Sequence, residues 1–408
     1  MENHPKEQCP VGYSELIELL HLKEVRQSEL LCVLHKFFEY HTNPISDSAR
    51  RFGNEESSYL DVQFKKSDGT ITTISGTLDK TTKRALSDHI KRTLLENQKE
   101  IVGQSLCFSE HDVVRGFYRY KDVFQILPIP DDAPHAPMIV ASHPFVVQFK
   151  YSCCPDQSIN GYRRAEKTAR LARILNAVCR NAISAPPRYT QHFWGITKDK
   201  GLSSQLIQQG YGYDGFKPEL TDFSVTDGIA AIRLFPTAKY YDYDIDSLPD
   251  DYAQAFPDSA DQYLDKVFSL KPEDAKKFDI ASAWFSQVNG LWPVSSSAAL
   301  IAVVSAIEAL LDKEYETCSE CKQPKFGVGK SFKAFLQKYV PGVESNFPEE
   351  YKKLYTVRSD LAHGKDLLQG DLEYWNYFGK PLEQRQADFQ RNTHHITAAA
   401  LLQWLLTK

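Results

Sequence analysis

The chain has 408 residues, 42% hydrophobic and 25% charged, with a formal net charge of −5. Such a composition is that of an ordinary globular protein long enough for two or three domains, with no low-complexity tract. The slightly acidic balance excludes a chain-wide basic field, so any nucleic-acid contact has to come from a local patch. Eight cysteines, mostly scattered singly, form no disulfide framework and fit a reduced, cytoplasmic setting. The opening MENHPKEQCP has no apolar run behind a basic start, so no signal peptide is expected. No stretch reaches the roughly 18–20 apolar residues of a membrane helix, so no membrane partner is expected.

In chain order, residues 12–42 read as a helix, with Leu16, Leu19, Leu20, Val25, Leu30, Leu34 and Phe37 recurring at threes and fours. A hairpin follows: Tyr59, Val62 and Phe64 lead into Ser67-Asp68-Gly69, and Ile71 and Ile74 lead out. Residues 79–100 return to helix with Asp79 as N-cap. Extended pieces are expected from Val123 to Pro128 and from Met138 to Tyr151, then a basic amphipathic helix over 161–182. That helix sets Arg163, Arg164, Lys167, Arg170, Arg173 and Arg180 against Leu171, Ile174, Leu175 and Val178. Its basic face is either a solvated surface or a second RNA-binding surface. The stretch 183–258 is rich in Pro, Gly, Tyr and Asp, with Ile229 to Phe235 its best strand. The run Tyr240-Tyr241-Asp242-Tyr243-Asp244-Ile245-Asp246 reads as a solvated loop or edge.

Beyond Phe256-Pro257-Asp258 the pattern becomes helical. Six segments are expected, at about 259–269, 272–289, 295–313, 328–339, 347–363 and 381–406. The third is the most apolar and can be capped by Ser295, Ser296 or Ser297. The expected architecture is a mixed α+β sensing or regulatory region, 1–255, followed by an all-α helical-bundle domain, 256–408.

The fifth of these helices closes on Arg358-Ser359-Asp360-Leu361-Ala362-His363-Gly364. Arginine offers a planar, permanent cation to phosphate oxygens, and histidine gives or takes a proton near neutrality. On a helix, five positions set the two side chains about 140° apart with about 7.5 Å of rise. A site assembled from two copies of the helix would bring them closer, which points to a dimer. Gly364 suits a left-handed cap, placing His363 at the helix C-terminus where the dipole favours its protonated form. The structural alternative is a cap plus an ion pair of Arg358 with Asp360 or Glu308.

The segment Tyr355 to Gly364 resembles the Arg-(four to six residues)-His motif of HEPN domains. The preceding order is similar to the Apea-like branch of that superfamily. It runs from the apolar helix Ala298–Leu311 through Cys318-Ser319-Glu320-Cys321 to Gly329-Lys330, Phe332 and Phe335. The resemblance covers about 259–408; residues 1–255 carry none. It implies a helical bundle that dimerises and sets two Arg–His pairs in one cleft. It also implies a metal-independent endoribonuclease that leaves cyclic phosphate ends, as in toxin, abortive-infection or anti-phage systems. Transfer RNA is a candidate substrate, and a phage trigger or an antitoxin a candidate partner. By motif matching Arg358 and His363 are catalytic, and Glu308 is a supporting carboxylate. The residue after the Arg is often Asn, Asp or His in active members; here it is Ser359, with Asp360 as the substitute polar helper. The same resemblance is compatible with a non-catalytic dimerising, nucleotide-binding or protein-binding module.

Lys330, Lys333, Lys352 and Lys353 crowd the motif in sequence and are candidates for holding an RNA backbone, with a solvated helix face as the alternative. Trp375, Tyr374 and Tyr377 are candidates for stacking on bases or for core packing. Cys318 and Cys321, two residues apart, form half of a tetrahedral zinc site. Cys153-Cys154, His394 and His395 are the remaining donors by elimination, and free thiols or a redox pair are the alternatives. Such a zinc would be structural, and catalysis requires no cofactor. The string Gly327-Val328-Gly329-Lys330-Ser331 resembles a phosphate loop, but Pro324 stands where that pattern needs Gly, which excludes a P-loop NTPase.

Overall fold

The structure is a computed structural model. It describes residues 25–54, 58–109, 112–133, 143–179, 183–185, 193–197, 204–208, 213–241, 253–292, 294–312, 316–317, 324–325, 328–372 and 381–408. Both helices and antiparallel sheets are present, so the chain is α+β. It divides into two compact units, Met1–Val102 with Lys150–Arg164, and Gly103–Phe149 with Ala165–Lys408.

In the first unit, α1 (Gln27–Phe37) precedes a four-stranded antiparallel meander. Its strands are β1 (Thr42–Ser46), β2 (Ala49–Asn54), β3 (Ser58–Phe64) and β4 (Ile71–Gly76). The helix expected over 12–42 stops at Phe37, because Glu39 and Tyr40 take φ of 49° and 63° and turn the chain into β1; residues 12–24 lie outside the described residues. The expected hairpin is β3–β4, with Gly69 at φ 70°. Leu60, Val62, Ile71 and Ile74 point into a core shared with Leu30, Leu34, Phe52 and Ile90. On β2 and β3, Arg51 forks onto Asp61 at 2.8 and 2.9 Å and lies 3.7 Å from the Tyr59 ring centre. Helix α2 (Lys80–Lys91) opens on Asp79, which accepts from the Thr81 and Thr82 backbone N–H groups. It runs into a π turn, Arg92–Glu96. It ends short of residue 100 because the Asn97 and Gln98 amides cap the Arg92 and Thr93 carbonyls, at 3.0 Å each.

The six-stranded sheet has β5 (Lys99–Ser109), β6 (Tyr118–Tyr120), β7 (Phe124–Pro128), β8 (His143–Cys153), β9 (Ile183–Ser184) and β12 (Glu219–Leu220). Their order is β12-β5-β8-β7-β6, with β9 on β5. Between β9 and β12, β10 (Phe193–Thr197) and β11 (Ser204–Gln208) make a separate antiparallel pair. Three neighbouring strands carry buried glutamines. Gln148 Nε2 donates to Gln104 Oε1 at 2.9 Å, and Gln125 Nε2 donates to Gln148 Oε1 at 2.6 Å. Gln148 also binds Ser224 through both its amide groups. Helix α3 (Gln157–Cys179) buries Leu171, Ile174, Leu175 and Val178 as its periodicity requires. The strand expected over 229–235 is only Arg233–Phe235 (β13), paired in parallel with β14 (Ala255–Pro257). Gly228, at φ 83°, belongs to a turn closed by the Ile229 N–H on the Thr226 carbonyl, and after it Ala231 makes only an isolated bridge to Phe117. Of the acidic aromatic run, Tyr240 and Tyr241 are described, and the Tyr241 hydroxyl donates to the Val178 carbonyl at 2.5 Å.

Each of the six expected helices has a counterpart: α4 (Ala260–Ser269), α5 (Pro272–Leu291), α6 (Ser296–Glu308), α7 (Val328–Tyr339), α8 (Pro348–Ala362) and α9 (Pro381–Leu406). One-turn helices at Val343–Asn346 and Gln369–Leu372 are added. The region is not purely helical, since β15 (Glu316–Thr317) pairs antiparallel with β16 (Pro324–Lys325). Helix α6 is buried on almost every side, with Ala299, Leu300, Val303, Val304 and Ile307 at 1% exposure or less, and it packs on α5, α8 and α9. That is the expected placement of a helix apolar all round. Ser295 caps it, accepting from the Ala298 N–H at 3.1 Å. The Asp371 carboxylate adds the Ser296 and Ser297 N–H groups at 2.7 and 2.9 Å.

Helix α8 ends in a Schellman turn. The Lys365 N–H donates to the Asp360 carbonyl at 2.9 Å and the Gly364 N–H to the Leu361 carbonyl at 3.1 Å, with Gly364 at φ 67°. A Cβ at Gly364 would meet nothing within 4 Å, so only backbone strain opposes a side chain there. Gly364→Ala is therefore expected to cost about 1 kcal/mol, read as a shift in the denaturant midpoint with unchanged slope.

Candidate functional site

Pro348 at the first position and Glu349 and Glu350 in the first turn start α8, as the helix dipole and proline's fixed φ favour. Leu354 and Leu361 are its buried apolar residues. About one turn before the end, Arg358 Nη2 donates to Glu308 Oε2, the last residue of α6, at 2.7 Å. The two side chains are 24% and 20% exposed. Burial pushes the Glu308 carboxyl above the ordinary range, and the Arg358 guanidinium opposes that only in part. Arg358 Nε is enclosed with no hydrogen-bond partner. A half-buried guanidinium is thus held at one nitrogen with another donor unused.

His363 is the C-cap, at φ −94° and ψ 7°, and is exposed. Its backbone N–H donates to the Ser359 carbonyl at 3.1 Å. The Arg358 and His363 side chains share no hydrogen bond; the first is held against α6, the second stands at the open helix end. Ser359 is half-buried, and Asp360 pairs with Lys365 Nζ at 2.9 Å. Of the two carboxylates considered for Arg358, Glu308 is the one used. Lys365 and Asp371 were not singled out from the sequence, because both act only once the chain has turned at Gly364.

Lys330 stands exposed on α7, and Lys333, on the same helix, lies 5.6 Å from the Tyr351 ring centre on α8. Lys352 is exposed, and Lys353 pairs with Glu349 at 2.6 Å. Gly329 belongs to α7 rather than to a loop, and a Cβ there would lie 3.2 Å from Tyr355 Cδ1. That glycine serves close packing of α7 on α8, with Phe332 and Tyr355 ring centres 5.6 Å apart. Cys318, Cys321, Tyr374, Trp375 and Tyr377 lie outside the described residues. Of the other donors, His394 stacks on Phe285 at 4.6 Å and His395 lies 5.8 Å from Phe347. Cys153 and Cys154 are free thiols in the first unit. Among the described residues no three His, Cys, Asp or Glu gather as a metal site, and no helix is long and apolar enough to cross a membrane.

Compared with protein-family models, curated proteins and solved structures, the chain matches none.

Proposed function

We propose that the chain is a metal-independent endoribonuclease of HEPN type, acting on RNA at an Arg358/His363 site completed by a second copy. The observation that supports this best is the end of α8: an exposed imidazole at a helix C-terminus, with a guanidinium fixed by Glu308 earlier on the same helix. One neutral His363 takes the proton of a ribose 2′-hydroxyl, whose oxygen bonds to phosphorus. The P–O5′ bond breaks, and the departing oxygen takes a proton from the partner's protonated His363. Arg358 stabilises the charge on the phosphorane oxygens. The products are a 2′,3′-cyclic phosphate and a 5′-hydroxyl. Lys330, Lys333 and Lys352 supply cations for the RNA backbone. Residues 1–255 restrain the nuclease or sense a trigger such as a phage component or an antitoxin. A role in anti-phage defence, in the cytoplasm, follows from the same resemblance.

Incubation of the full chain with transfer RNA in EDTA is expected to yield cyclic-phosphate ends. Intact RNA both alone and in extracts of phage-infected cells, at protein concentrations where a dimer forms, counts against the proposal. The rival is a non-catalytic module that dimerises or binds a nucleotide or protein. The pairing of Arg358 with Glu308 and of Asp360 with Lys365 favours it, since structural ion pairs would use the same charges.

A further inference from the structure

Helix α3 carries Lys167, Arg170 and Arg173 at three-residue spacing, so the three lie along one side of the helix. Two contacts hold that side against α5. Arg170 Nε donates to Asp279 Oδ1 at 3.0 Å, and Asn176 Nδ2 donates to Ser286 Oγ at 2.7 Å. Arg173 falls between these two levels. Its Nε is enclosed and has no hydrogen-bond partner. Lys167 is half-buried, and among the described residues the only counter-ion recorded for the three is the carboxylate of Asp279 on Arg170. Burial, and then Arg170, hold the Lys167 ammonium below its ordinary pKa.

Long cationic side chains ordinarily bury their stems and leave the charged head in water, which would make this stripe a solvated surface. Two features oppose that reading here. The enclosed Nε of Arg173 belongs to the charged head itself, and the Lys167 ammonium is partly desolvated, which lowers its pKa. An unpaired cation out of water is destabilising, and an anion bound by charge-assisted hydrogen bonds offsets that cost. All three side chains remain partly exposed, so a ligand can reach them. Arginine's fork matches phosphate oxygens, and lysine adds a point charge.

We propose that Lys167, Arg170 and Arg173 form a phosphate-binding stripe on α3, separate from the Arg358/His363 site. The phosphate comes either from a small anion or from an RNA backbone, and the stripe does not depend on the nuclease reading.

The test uses the full chain, inorganic phosphate, and a single-stranded oligonucleotide with 2′-O-methyl riboses, which cannot undergo 2′-hydroxyl attack. Binding is compared in wild type and in Lys167→Gln/Arg173→Gln, where Arg170 keeps its partner. At least a tenfold loss of affinity for one or both probes is expected. If the oligonucleotide binds, its salt slope is expected to fall by about 1.4, or about 0.7 for each phosphate contact removed. Loss for phosphate alone assigns a small anion, and loss for the oligonucleotide assigns a backbone. Equal binding by variant and wild type, or no binding of either probe to wild type, overturns the proposal. Should the variant fail to fold, wild-type Lys167 is labelled with an amine reagent and read by mass spectrometry. Protection by either probe supports the stripe, and unchanged labelling with both refutes it.

Discussion

RNA cleavage is expected to fall by about 10²–10⁴-fold in His363→Ala, the range a positioned acid or base contributes, while the fold is untouched. His363 is exposed at the helix end, and the Schellman turn is made by backbone groups of Asp360, Leu361, Gly364 and Lys365. Removing the imidazole therefore leaves the cap intact, and a surface change of this kind moves stability by about 0.5 kcal/mol or less. Cleavage of transfer RNA and the melting temperature are measured on the same preparation. In cells, overexpressed wild type is expected to slow growth and His363→Ala to relieve it. Undiminished cleavage by a folded variant would rule out His363 as the acid–base group.

Arg358→Ala is expected to abolish cleavage and also to destabilise the chain by roughly 1–3 kcal/mol. The stability cost comes from Glu308, left half-buried without its partner. Because burial raises the Glu308 pKa in the folded protein, its contribution is fully present below the unfolded-state carboxylate pKa. It is lost as pH rises through the folded value. Without Arg358 the folded value rises further, so the variant's deficit grows from acid toward neutral pH. Adding Glu308→Gln removes the buried charge and is expected to restore stability without restoring cleavage. Denaturant midpoints at acid and neutral pH, with cleavage on the same three chains, separate the roles. Lost stability with wild-type cleavage would make Arg358 structural only.

The helices from residue 260 onward were legible because their cores repeat at threes and fours, and their ends carry local chemistry. Asp79, Ser295 and Gly364 act as caps where their side chains, or the lack of one, suggested. The first two strands were not legible. Thr-Asn-Pro-Ile-Ser in β1 has no alternation and contains Pro44, and β2 is fixed by cross-strand partners such as Asp61 rather than by its own pattern. The partner of Arg358 was narrowed to two carboxylates. Asp360, two positions on, points about 200° away around the helix, which leaves Glu308 fifty residues upstream. Asp371 on the start of α6 spans 75 residues, and no local pattern encodes such a pairing. The Arg358/His363 motif could be read as a motif; that its two side chains take different surroundings depends on where α6 lies.

The glutamine row across β5, β8 and β7 has a consequence for how the sheet is assembled. Successive residues on a strand face opposite ways, so sliding β8 by one residue would carry Gln148 to the other face of the sheet. Gln104 and Gln125 would then lose their amide partner in a place with no water to replace it, and Ser224 would lose its tether. An all-aliphatic row would leave no buried polar group unpaired after such a slip. These amides therefore act as a molecular ruler, making misaligned pairings of the same strands costly during folding.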